Sequence, residues 1–347
     1  MVKTMGQNAV TTNIWYTICP VTCASHIAAK KGWLTEEFTR DEIKVSPISA
    51  LPPEDRQCHF SHRHPRLIRD GGNIPPIWAK SEGVDTKLIG MTWAEGGQAI
   101  LVRKDSPIKS VGELRGARFI LPRRTNNLID FRLAKARRGL LMSLRAHGLG
   151  PDDVQFVDLP IELADTVGQD PEGWSCEQQP ELEALQRKEA DAIYSNRGVE
   201  IEIEQMGLAK IIYNVDRHPD WRYRIMNDYP AVCTVNADFA EEFPDLITRW
   251  MKVLVQAATW AKEHYSEVME IMPNAVRVSE EAFLKSYPAD FHKRLVPEIS
   301  NKGMEALEIQ KEFLLEYGFI KHDVDVKAWV DRSFLDRALR ELEKEKS

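Results

Sequence analysis

The spacing of apolar and polar residues divides the chain into two regimes. Up to Asn236, short β-rich runs alternate with longer amphipathic stretches. The runs at Thr12 to Ile18, Glu42 to Pro47, Lys87 to Thr92, Ala99 to Arg103 and Ala117 to Leu121 read as strands. Val154 to Leu159, Asp191 to Ser195, Lys210 to Val215 and Ala231 to Asn236 continue the pattern. Between them, the segment CPVTCASHIAAKKGW has helical character with a stop at Gly32, and Ser110 to Leu114 carries a Ser-x-x-Glu capping box. Helices are also expected over Leu128 to His147 and Pro180 to Lys188. After Tyr229 one strand precedes a helical tail: Pro244 to His264, Ser266 to Met272, Ser279 to Tyr287, Lys302 to Tyr317 and Val326 to Lys344. Strands alternating with helices imply mostly parallel sheets. The expected fold is therefore α/β and two-lobed, with an interdomain cleft and a helical C-terminal tail. Lobe I would comprise 1–105 plus 229–347 and lobe II 106–228, with crossings near Ser106 and Asp228.

The length of 347 residues suits two such lobes better than one core. With 53 acidic residues against 46 basic ones the net charge is −7, which provides no footprint for nucleic acid. The one basic cluster, Arg123, Arg124, Arg132, Lys135, Arg137 and Arg138, reads as a solvated helix face. Five cysteines, an odd number in so long a chain, do not suggest a disulfide framework. The first residues lack the apolar core of a secretory signal, and no run reaches the length of a membrane-spanning helix. A cytoplasmic protein with reduced thiols is the expectation. The sequence sets no oligomeric state, and a monomer is the simplest case.

Two places carry candidate chemistry. Cys19 closes a strand, and Pro20 suits the first position of a helix, which would make Cys19 the N-cap. There the helix dipole would lower the thiol pKa and favour thiolate. The competing reading is a small buried hydrophobe, and Cys23, one turn on, fits the core better than a resolving role. The second place is QCHFSHRHPRLIRDGGNIPP, which gathers Cys58, His59, His62, His64, Arg66, Arg69, Gly71 and Gly72 in a loop-like stretch. A histidine can serve a thiol as base, acid or partner. An arginine fork matches two-oxygen anions, and glycines let backbone N–H groups approach them. A metal site is the competitor, but the spacings match no standard zinc pattern, and adjacent Cys58 and His59 share one ion poorly. His62 and His64 read as surface loop residues.

The runs TICPV, CHF and IRDGG followed by IPP resemble the aryl sulfinate desulfinases of bacterial biodesulfurisation. LVRKDSPI at 101–108, DAIYS at 191–195, DFHKRLVPEIS at 290–300 and EFLLEYGFI at 312–320 extend the resemblance along nearly the whole chain. The fold it implies is the periplasmic-binding-protein type II fold of nitrate and sulfonate receptors. It also implies cofactor-free hydrolysis of a carbon–sulfur bond, in which a small anionic organosulfur ligand, a sulfinate, yields sulfite. The family's catalytic cysteine, histidine and arginine carry over to Cys19, His59 and Arg69. Its backbone contact to the sulfinate carries over to Gly72, beside Gly71. Phe60 fits as an apolar wall. Cys19 would act either as nucleophile on sulfur or as acid toward carbon. The stretch Pro122 to Ala136 departs from the family in being more basic and less aromatic, and Asp165 to Gln178 does not align, which leaves the biphenyl group open. Two other readings stand beside this one: a non-catalytic binding protein for a sulfonate or related anion, and a metal-dependent enzyme on the same fold.

Overall fold

The computed structural model describes residues 13–125, 127–161 and 180–346. The segment Asp165 to Gln178, flagged above, falls outside the described residues. The described strands are β1 (Ile14–Ile18), β2 (Val45–Pro47), β3 (Leu67–Gly71), β4 (Thr86–Thr92), β5 (Gln98–Arg103), β6 (Arg118–Arg124), β7 (Gln155–Ile161), β8 (Ala192–Asn196), β9 (Ala209–Asn214) and β10 (Ala231–Asn236). They form two five-stranded sheets, ordered β2-β1-β3-β10-β4 and β7-β6-β8-β5-β9. In the first, β1 runs parallel to β2 and β3, while β10 is antiparallel to β3 and β4. In the second, β6 is parallel to β7 and β8, and β5 is antiparallel to β8 and β9. The antiparallel strand of each sheet, β5 or β10, is the first to follow a crossing between the lobes.

The first crossing is shifted from its expected place. β5 pairs in the second sheet, so the chain changes lobe between Thr92 and Gln98 rather than near Ser106. The turn WAEGG carries it. A Cβ on Gly96 would lie 2.4 Å from the Tyr287 ring, and one on Gly97 would lie 2.2 Å from both Glu200 Oε1 and Ser286 Oγ. The return falls between Asn214 and Ala231.

Three other elements differ from expectation. The loop-like stretch after Cys58 contains a four-residue helix, Cys58–Ser61, and then β3, which is buried at every position between β1 and β10. A central strand normally reads as an apolar run, and Arg69 and Asp70 hide this one. Ser110 and Glu113 form no capping box. The Ser110 hydroxyl donates to Glu113 Oε1 at 3.2 Å, Glu113 Oε2 accepts from the Lys109 N–H, and Val111–Leu114 is a 3₁₀ turn. The last expected helix is broken into Val326–Trp329 and Ser333–Glu345, because Val330 bridges to Leu88 and the Asp331 N–H donates to the Leu88 carbonyl. The tail therefore latches onto edge strand β4. Among the described residues, no helix is long and apolar enough to cross a membrane.

Gly97→Ala should lower the unfolding free energy by about 1–3 kcal/mol, the usual range for overpacking. Urea denaturation measures it, and a midpoint equal to wild type would show that the crossing tolerates a side chain.

Candidate active site

The strand register builds the site. Arg69 on β3 lies opposite Thr17 on β1 and Thr234 on β10, so the three side chains form one row across the sheet. The Thr17 hydroxyl is 2.8 Å from His59 Nδ1, and the Thr234 hydroxyl is 2.9 Å from His62 Nε2. Two threonines thus hold the two histidines of the short helix region over the arginine. His62 is fully buried rather than a surface residue. Burial and the Arg69 charge push its pKa down to about 3. Cys58 packs in a small core with Ile48, Leu51 and Leu67, and His64 lies edge-on to Trp15. Among the described residues, no three His, Cys, Asp or Glu side chains group as metal ligands.

Arg69 is only 1 % exposed, and its guanidinium is spoken for at three points. Nε donates to the His59 carbonyl at 3.0 Å, Nη1 to the Gly72 carbonyl at 2.8 Å, and Nη2 to Cys19 Sγ at 3.1 Å. Cys19 Sγ also lies 3.6 Å from His59 Nε2. The three residues singled out in the sequence therefore meet at one point. Gly71 makes that possible, because a Cβ there would sit 2.3 Å from Cys19 Sγ. At Gly72 a Cβ would lie 2.1 Å from Asn227 Nδ2, and the Gly72 N–H is hydrogen-bonded toward the thiol.

The position of Cys19 differs from expectation in one consequential respect. It is not a helix N-cap: the helix spans Ala24–Lys30 and Cys23 occupies that place. Pro20 to Thr22 form a turn instead, pinned because the Cys19 carbonyl accepts from the Val21 N–H and lies 2.8 Å from His26 Nε2. The sulfur is consequently set back from the N-terminus of that helix. Burial raises its pKa, while Arg69 and the Gly72 N–H oppose the rise. His59 is pushed well below its ordinary range by burial and by Arg69. Both shifts favour a neutral thiol beside a neutral imidazole over a thiolate–imidazolium pair.

These residues line a cavity of about 170 Å³ between the lobes. Phe60 forms part of its wall, with its ring 6.0 Å from that of Phe131 across the cleft. The basic cluster is not simply a solvated face. Arg124, Arg132 and Lys135 line the cavity, and Arg138 is buried, donating to the Ile225 and Arg222 carbonyls. Sequence reasoning also missed Arg197, Asn227 and Asp228. Arg197 Nη1 reaches from lobe II to the Pro20 carbonyl at 3.0 Å, and Asn227 Oδ1 accepts from the Ile74 N–H at the start of the helix Ile74–Ser81. No motif marks these three, since they converge only through the crossings.

Two sheets, each with one antiparallel strand, enclosing a ligand cavity at the crossings, define the periplasmic-binding-protein type II fold. Within that class, the chain is 27% identical to the 2'-hydroxybiphenyl-2-sulfinate desulfinase of Rhodococcus erythropolis, over 96% of this chain and 95% of that enzyme. The crystal structure of the desulfurization enzyme DSZB superposes with a TM-score of 0.77 at 25% identity, covering 95% of this chain and 99% of that one. A putative periplasmic sulfonate-binding protein, SsuA from Methylobacillus flagellatus KT, shares the fold with a TM-score of 0.72 at 17% identity, covering 96% and 95% of the two chains. No protein-family model matches the chain. The resemblance read from TICPV, CHF and IRDGG is borne out.

Cys19 is the only cysteine among the described residues that lines the cavity. Iodoacetamide should alkylate it slowly at neutral pH and faster as the pH passes 9, because thiolate is the reacting form. Peptide mapping reads the rate, and a rate already level at pH 7 would show that Arg69 outweighs burial.

Proposed function

We propose that this protein is an aryl sulfinate desulfinase: R–SO₂⁻ plus water gives R–H plus bisulfite. The observation that carries the reading is the meeting of Cys19 Sγ with Arg69 Nη2 and His59 Nε2 inside the interlobe cavity. A receptor needs only the cavity and the guanidinium, and has no use for a thiol held this closely. Arg69 and the Gly72 N–H bind the sulfinate oxygens, as an oxyanion hole binds developing charge. Phe60 and Phe131 flank the ring.

Cys19 acts as the acid. Burial keeps its thiol protonated, so the S–H proton passes to the ring carbon as the carbon–sulfur bond breaks and its electron pair takes up that proton. Sulfur dioxide leaves and adds water to give bisulfite and a proton, which restores the thiol. His59, oriented through Nδ1 by Thr17, positions the thiol and relays that returning proton. No cofactor takes part. The alternative, thiolate attack on sulfur, is favoured by the same two hydrogen bonds to Sγ, and the pH profile separates the routes. The ligand is a small organosulfur anion, with no role for nucleic acid or membrane. The cysteines among the described residues are unpaired, which suits a reducing compartment, the cytoplasm.

Sulfite release from benzenesulfinate should be measurable in the wild type and absent in Cys19→Ser, which retains ligand binding. Its rate should hold level through neutral pH, with no break near 6.5 because His59 is already neutral. It should fall on the alkaline side as the thiol, raised above its ordinary value, loses its proton. A rate that climbs with pH would select the thiolate route. Ligand binding with no sulfite release would leave a sulfonate-type receptor.

A further inference from the structure

Arg69 lines the cavity from lobe I, and lobe II contributes Arg124, Arg132, Lys135 and Arg197 to its wall. Three acids pair with these four cations, and Glu202 and Arg277 complete the charged lining of the cavity. Asp130 lies beside Arg124 and accepts its backbone N–H, Glu181 is 3.9 Å from Arg132, and Asp228 is shared between Arg197 at 3.7 Å and Lys135 at 4.0 Å. Asp228 is further engaged by Asn196 Nδ2 and Asn227 Nδ2, at 3.0 and 2.8 Å. Lys135 is therefore the exposed point of the arrangement in electrostatic terms. Its side chain is 8% accessible, it faces the cavity, and among the described residues its ammonium has no hydrogen-bond acceptor. Arg124 Nε is likewise buried without one. A buried cation without an acceptor is costly, and here burial, opposed by Asp228, pulls Lys135 down to about 7.

We propose that this wall is a second anion subsite, built to receive a carboxylate carried by the same aryl sulfinate, so that the substrate is a dianion. The inference rests on the desulfinase reading for the identity of the first group and deepens it by naming the substrate class. The sulfinate sits at Cys19 and Arg69, the ring lies along Phe60 and Phe131, and the second acid completes the coordination of Lys135. The volume of about 170 Å³ is close to the roughly 150 Å³ of an apolar cavity that takes up benzene. A single ring fits that space, with its acidic substituents directed at Arg69 and at Lys135.

The test compares benzenesulfinate with its 2-, 3- and 4-carboxy derivatives for sulfite release, and benzenesulfonate with its carboxy derivatives for calorimetric binding. Wild type should favour the best carboxy isomer at least about tenfold in both, equivalent to about 1.4 kcal/mol. Lys135→Met should bring that ratio close to one, and Lys135→Arg should keep it. Because the ratio is taken within one sample, it does not depend on how much of a variant is folded. A wild-type ratio near one, or a ratio that Lys135→Met leaves intact, overturns the subsite even if benzenesulfinate yields sulfite. A Lys135-dependent preference in sulfonate binding with no sulfite from any sulfinate supports the subsite and removes the desulfinase reading.

Discussion

The guanidinium of Arg69 is the constraint on which the site depends. It rises from the middle of a fully buried strand and ties the short histidine helix, the Gly72 backbone and the Cys19 sulfur to one planar group. A flexible ammonium offers no such geometry, because it has no fixed fork. The surrounding sequence serves this placement. Thr17 and Thr234 flank Arg69 in register and hold His59 and His62, while Gly71 withholds the Cβ that would collide with the thiol.

The same burial that fixes the geometry sets the chemistry. Withdrawn from water, the thiol is harder to ionise and His59 harder to protonate, and Arg69 opposes the first shift while reinforcing the second. A protonated thiol beside a guanidinium is suited to delivering a proton while an anion is held in place. The turn Pro20 to Thr22 sets the sulfur back from the N-cap of the helix Ala24–Lys30, the place that would have favoured thiolate.

Much of this was legible in the sequence, and the exceptions have physical causes. Nine strands could be read from β-rich runs, but β3 could not, because Arg69 serves the site and Asp70 is buried on the other face against the Ser25 hydroxyl, and the two break the apolar pattern that marks a central strand. Cys19, His59, Arg69, Gly71, Gly72 and Phe60 lie in two short motif-bearing stretches and were identifiable there. Lys135, Arg197, Asn227 and Asp228 come from the second lobe or the return crossing, so no local spacing announces them. The basic cluster misled for a related reason: charge on a helix normally means solvent, and here three of those residues line the cavity. The first crossing was displaced because β5 resembles any other short strand until its antiparallel partners are seen.

The central claim is that one planar cation aligns thiol, imidazole and ligand. Its most direct test is the kinetics of sulfite release by Arg69→Lys, with the folded state monitored by circular dichroism. Charge is kept and the fork is lost, so kcat/KM should fall by about two orders of magnitude or more, in the range seen when an oxyanion-hole donor is removed. A folded variant within twofold of wild type would contradict the account.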